Sequence, residues 1–156
     1  MVWRCWKKVC YSLDATSIST YGSSRMTDLT SLLLASIILY SSQTGVPVGI
    51  ARGLMMSESG GDTTAVSRTG DLGAWQLNPR YHAWFRETFN AGWEFEEQNV
   101  EASTRIALRY LAALHKQFGT WTRALEAYKC GPYRKVEDIP EHIKKLCRKI
   151  VREGLK

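Results

Sequence analysis

The chain has 156 residues, of which 44% are hydrophobic, 23% charged and 11% aromatic, and it carries a formal net charge of +6 at pH 7. That length supports one core and leaves no room for a second full domain, and the proportions exclude a disordered, collagen-like or coiled-coil chain. The positive excess lies at the ends: residues 1–25 hold four basic and one acidic side chain, residues 26–133 nine and ten, and residues 134–156 eight and four. A neutral middle is a poor match to a folded face that reads phosphates, so no specific nucleic-acid partner is expected.

The first ten residues are basic and aromatic, but the polar residues 12–25 that follow do not make an apolar h-region, so no signal peptide is read. The apolar run over residues 32–40 contains Ser36 and is too short to span a membrane, which takes about 20 residues. It could act as an export h-region only if translation began at Met26, and Met26-Thr27-Asp28 lacks a positive n-region. Residues 1–25 therefore read as a basic N-terminal extension and residues 26–156 as one domain.

Asp28 or Thr30 can cap a first helix with Leu32, Leu33, Ser36, Ile37 and Tyr40 making its apolar face, ended by Gly45. Pro47 opens a second helix over residues 47–58, with Ile50, Leu54, Met55 and Glu58 on one face and Ser59-Gly60-Gly61 as its stop. Residues 60–78, rich in Gly, Thr, Ser and Asp, read as a structured loop or short hairpin in which Trp75 and Leu77 alternate with polar neighbours. A long helix begins at Asn99 and closes at Gly119. Thr120 then caps a shorter helix with Trp121, Ala124, Leu125 and Tyr128 on its inner face. A last helix over residues 140–154 buries Ile143, Leu146, Ile150 and Val151 and turns Lys144, Lys145, Arg148, Lys149 and Arg152 outward. The architecture is mainly α with a small irregular or β-like insertion after the second helix. Cys5, Cys10, Cys130 and Cys147 form no C-x-x-C pair and have no histidine at ligand spacing, so no metal or cofactor is expected and reduced thiols are favoured over disulfides.

One acidic residue is out of place. Glu58 lies on the apolar stripe of its own helix and at the C-terminal end of that helix, where both the apolar setting and the helix dipole favour a neutral carboxylic acid. Such an acid is what general acid catalysis of glycosidic cleavage requires, although a helix-end Glu pointing to solvent is the plainer reading of the residue by itself.

The segment that Glu58 opens, ESGGDTTAVSRTGDLGAWQLNP, resembles the soluble lytic transglycosylase family of lysozyme-like enzymes, relatives of the goose-type lysozymes. The family pattern E-S-x-x-x-x-x-A-x-S-x-x-G-x-x-G-x-x-Q-L is met by Glu58, Ser59, Ala65, Ser67, Gly70, Gly73, Gln76 and Leu77. A second block, A-Y-N-x-G-P, is matched by Ala127, Tyr128, Gly131 and Pro132. The family's Y-L-x-x-L appears as Tyr110, Leu111 and Leu114. The likeness covers residues 29–132.

The resemblance implies a lysozyme-like α+β fold, a helical bundle around a cleft, in which Glu58 is the single catalytic acid and base of a peptidoglycan-cleaving lytic transglycosylase. It would break the β-1,4 bond between N-acetylmuramic acid and N-acetylglucosamine and leave a 1,6-anhydromuramyl end. Ser67 would bond near the catalytic carboxylate or the substrate acetamido group, Gln76 and Tyr128 would line the cleft, and Trp75 would stack on a sugar or fill the core. Lys129 stands where the family has Asn and would pair with a peptide carboxylate. The tyrosine of the family's later helix has no counterpart, the nearest position being Leu146. Asp62 and Asp71 fall where goose-type lysozymes place carboxylates that position water, so hydrolysis of the same bond is the alternative, beside an inactive wall-binding or virion structural domain. The implied partner is the peptidoglycan strand in the periplasm or cell wall, reached with a phage particle, a holin lesion or a secretion machine.

Overall fold

The computed structural model of the chain describes residues 23–89 and 99–156, with backbone alone for residues 23–29 and His82. Cys5, Cys10 and most of the expected basic extension lie outside the described residues. Six α-helices follow one another among the described residues: α1 (Ser23–Thr44), α2 (Val48–Ser59), α3 (His82–Phe89), α4 (Val100–Phe118), α5 (Trp121–Cys130) and α6 (Glu141–Gly154). No helix among them is long and apolar enough to cross a membrane.

The helix ends follow from local chemistry. Asn99 and Thr120 accept backbone N–H groups of Ala102 and Arg123 at the starts of α4 and α5. Gly60, with φ +70°, takes the left-handed turn that closes α2, its N–H reaching the Met56 carbonyl. α1 starts at Ser23, ahead of the expected caps at Asp28 and Thr30, because no Gly or Pro stands between them to stop the helix. The expected domain boundary at residue 26 thus falls inside its first turn.

α4 is the central helix. It packs on α1, α3 and α5, while α6 closes over α2 and α5. Ile106, Ala107, Leu108 and Leu111 of α4 are fully buried, as are Ile37, Ile50, Leu54 and Leu125 around it. A helix enclosed on this many sides also buries polar groups; Thr104 among them donates to the Val100 carbonyl at 2.6 Å.

α3 has no counterpart among the expected elements. Its Trp84, Phe85 and Phe89 rings pack edge-on or tilted against Tyr110 of α4, at centroid separations of 5.6–6.0 Å. Tertiary aromatic packing, rather than a local start signal, holds this short helix in place. On α6 the innermost residue is Cys147, fully buried, beside Ile150; Ile143, Leu146 and Val151 are only partly covered. Residues 60–78 form the expected insertion, with isolated antiparallel bridges pairing Val66 with Leu72 and Leu72 with Leu77.

Candidate active site

Three pieces of chain meet at the C-terminal end of α2. Glu58 is on its last turn, the 60–78 loop folds back to that end, and the last turn of α5 reaches it through Lys129. Ser59 joins the first two: its hydroxyl donates to the Ala74 carbonyl at 2.9 Å and accepts the Gly61 N–H at 3.1 Å. Tyr128 joins loop to α5, its hydroxyl donating to the Trp75 carbonyl at 3.0 Å. Lys129 joins α5 to α2, with Nζ 2.8 Å from Glu58 Oε1 and 3.5 Å from the Ser57 carbonyl.

The Glu58–Lys129 contact is an ion pair whose side chains are 13% and 8% exposed. Burial of this degree makes the pair far less screened than a surface salt bridge. Burial also pushes the Tyr128 hydroxyl well above its ordinary pKa, and the negative charge of Glu58, then Tyr110 and Asp71, pushes the same way. The phenol is therefore a fixed neutral donor.

The loop is braced from within. Ser67 Oγ donates to Asp71 Oδ2 at 2.8 Å and accepts the N–H groups of Asp71 and Thr69. Asn78 donates to Asp71 Oδ1 at 2.7 Å. Asp62 Oδ1 accepts both the N–H and the hydroxyl of Thr64 at 2.8 Å, an exposed Asx-type turn. Gln76 sits at φ +49°, a left-handed conformation unusual for a residue with a Cβ, and its amide nitrogen reaches the Gly73 carbonyl at 3.0 Å and the Ala65 carbonyl at 3.4 Å. Backbone strain of this kind persists where the surroundings over-determine it, and here the side chain spans the loop that causes it.

These contacts revise several expectations. Trp75, read as either stacking on a sugar or filling the core, is fully buried, and its indole N–H donates to Thr104 at 2.9 Å. Tyr128 is almost wholly buried with its hydroxyl committed to the loop, so it underpins the site instead of lining it. Ser67 organises the 67–71 turn and is bonded to Asp71, not to Glu58. Lys129 is paired with the candidate acid itself. Ser59 is the residue the sequence reading left without a role; its place beside Glu58 in the motif was the available signal. Leu146 is partly buried against the core and brings no hydroxyl. Behind the pair, burial pushes the Cys147 thiol up to about 12, against the pull of Lys129. Cys130 and Cys147 are both free thiols. Among the described residues no three His, Cys, Asp or Glu side chains cluster closely enough to hold a metal ion.

The transglycosylase SLT domain model matches residues 35–150, nearly three quarters of the sequence. The chain belongs to that family. Its SLT domain is 31% identical over 104 residues to an Alteromonas sp. (strain M-1) protein named for tributyltin chloride resistance, a match covering 66% of this chain and 49% of that one. The fold is similar to the X-ray structure of an inactive mutant of the lytic transglycosylase Slt from Pseudomonas aeruginosa, with a TM-score of 0.60 at 20% identity. That match covers 78% of this chain and 22% of the other. The SLT domain protein thus spans about half the length of the first relative and under a quarter of the second. Family and fold agree with the helical, lysozyme-like architecture expected from the sequence.

Proposed function

We propose that this SLT domain cleaves the glycan strands of peptidoglycan by transglycosylation, with Glu58 as acid and then base. The carboxyl group gives its proton to the oxygen of the β-1,4 bond, and the C1–O bond breaks. The C6 hydroxyl of the muramyl ring then closes on C1 and returns its proton to Glu58, leaving a 1,6-anhydro end. The nucleophile belongs to the substrate and is held in place by the same ring, so one carboxylate suffices. Hydrolysis would require a second carboxylate to direct water or attack the sugar.

The observation that carries this reading is the placement of Glu58: mostly enclosed, at a helix end, facing another helix across the site, in a chain of the transglycosylase SLT domain family. Its preference over hydrolysis is supported by the commitments of the other acids. Asp62 is spent on an exposed turn, Asp71 on bracing Ser67 and Asn78, and Glu126 on Arg123 at 2.6 Å. On this reading the place of action is the cell wall. The test is clearing of purified peptidoglycan. Glu58→Gln should lower the rate about a hundredfold or more, the usual worth of a general acid. Equal rates for the two proteins would refute the role of Glu58.

A further inference from the structure

The Glu58–Lys129 pair poses a chemical problem that the family pattern, with Asn in place of Lys129, does not. An ionised Glu58 has no proton to give, and the reaction proposed above begins by giving one. With Lys129 Nζ 2.8 Å from Glu58 Oε1, the pair must open in every turnover. Among the described residues the fold offers the ammonium little else. Its other hydrogen bond is the long one to the Ser57 carbonyl at 3.5 Å. Glu126, one turn back on α5, is held by Arg123, and Asp71 accepts from Ser67, Thr69 and Asn78. A buried ammonium that leaves its carboxylate without finding another anion is strongly disfavoured. The lysine stem is long and flexible enough to swing, so an anion brought by the substrate can take the place of Glu58.

Peptidoglycan carries one kind of anion suited to this. Its sugar backbone is uncharged, whereas its peptide branches bear carboxylates. We propose that Lys129 is a specificity-determining latch. Before substrate binds it holds Glu58 as its ion-pair partner. With substrate bound it passes its hydrogen bond to a carboxylate of the peptide branch, and Glu58 takes up from solvent the proton that it gives to the glycosidic oxygen. No covalent bond to Lys129 is made or broken; Glu58 regains a proton from the C6 hydroxyl as the anhydro ring closes and releases it to solvent when the pair with Lys129 re-forms. This rests on the transglycosylase reading and adds to it a preference for glycan bearing acidic peptides.

The test compares initial rates of the wild-type protein on peptidoglycan with free peptide carboxylates, on the same material amidated at those carboxylates, and on strands stripped of peptide by an amidase and then amidated at the lactyl carboxylate that the amidase exposes. The free-carboxylate form should be cleaved about tenfold faster than either of the others, the worth of one charge-assisted hydrogen bond. Lys129→Arg should keep that preference, and Lys129→Asn should lose it, chiefly by gaining rate on the stripped strands. Equal wild-type rates on free and amidated material would overturn the latch, as would an undiminished preference in Lys129→Asn. The amidation comparison uses the wild-type protein alone and decides the matter even where Lys129→Asn does not fold. Folded wild-type protein that cleaves none of the three substrates overturns the transglycosylase reading, and this inference with it.

Discussion

Placing a methyl group at Gly49 tests the geometry that carries Glu58. Gly49 of α2 and Gly154 of α6 meet backbone to backbone. A Cβ built at Gly49 lies 2.5 Å from the Gly154 carbonyl oxygen and 2.7 Å from its Cα, and one built at Gly154 lies 2.6 Å from the Ile50 nitrogen. Ordinary contact requires about 3.5 Å, so α2 and α6 would have to part by roughly 1 Å at this crossing. The backbone cannot rotate out of the way as a side chain would. The same crossing holds Gly53 against Ile150, whose Cγ2 lies 2.7 Å from a Cβ built there, so the separation would also loosen the cover over Ile50 and Ile150. Because backbone meets backbone, the overpacking falls in the upper part of its usual range, about 2–3 kcal/mol, against which Ala gains up to about 1 kcal/mol over Gly in helix propensity. Gly49→Ala should therefore lose about 1–2 kcal/mol in urea unfolding, read from the midpoint at unchanged slope. Arg52→Ala, exposed on the same helix, should stay within about 0.5 kcal/mol of wild type. A Gly49→Ala protein as stable as wild type, or more so, would refute the backbone contact between α2 and α6.

Trp75→Phe separates a core tryptophan from a sugar-stacking one: the lost ring volume and the lost buried hydrogen bond to Thr104 should cost about 2–4 kcal/mol of stability, whereas a ligand-facing ring would leave stability within about 0.5 kcal/mol. Chemical unfolding of the two proteins decides it. Cys147 makes stability depend on pH at the alkaline end. Its thiol rises from the ordinary 9.0 to about 12 in the fold, so the neutral form is favoured there; the contribution is whole below 9.0 and is lost as pH climbs towards 12. Stability should fall over that range by up to about 1.4 kcal/mol per pH unit from this one proton, and Cys147→Ala should lack that part of the slope. Identical slopes would show that the thiol is not shielded.

Where the sequence carried a local signal, the element was legible. α2, α4 and α5 have a proline start, side-chain caps or glycine stops at both ends, and their inner faces follow from spacing. α3 was not legible because its eight residues pack through their rings on Tyr110, twenty-one positions beyond Phe89. Cys147 was missed as the centre of the α6 face because a cysteine was read for its reactivity and not as the small apolar side chain it is in this core. At the site, Glu58 was legible from its place on an apolar stripe and from its motif. What faces it was not: Lys129 is 71 residues away in sequence, and which group an ammonium pairs with depends on how α5 crosses α2. Trp75 was undecidable for a related reason, since alternation shows that a residue points inward or outward but not what waits there. Ser67, read as bonding near the catalytic carboxylate or the substrate, and Asp62 and Asp71, read as positioning water in a hydrolase, bond within the loop, which is the common fate of polar groups in a tight turn.

The account stands or falls on the chemistry at Glu58, and the masses of the products test it most directly. Purified peptidoglycan is incubated with the wild-type protein and, separately, with Glu58→Gln, and the soluble fragments are analysed by mass spectrometry. The account predicts fragments one water lighter than hydrolytic ones from the wild-type protein and none from Glu58→Gln. Fragments of full hydrolytic mass would contradict transglycosylation and direct attention to Asp71; fragments released equally by Glu58→Gln would contradict the assignment of Glu58 itself.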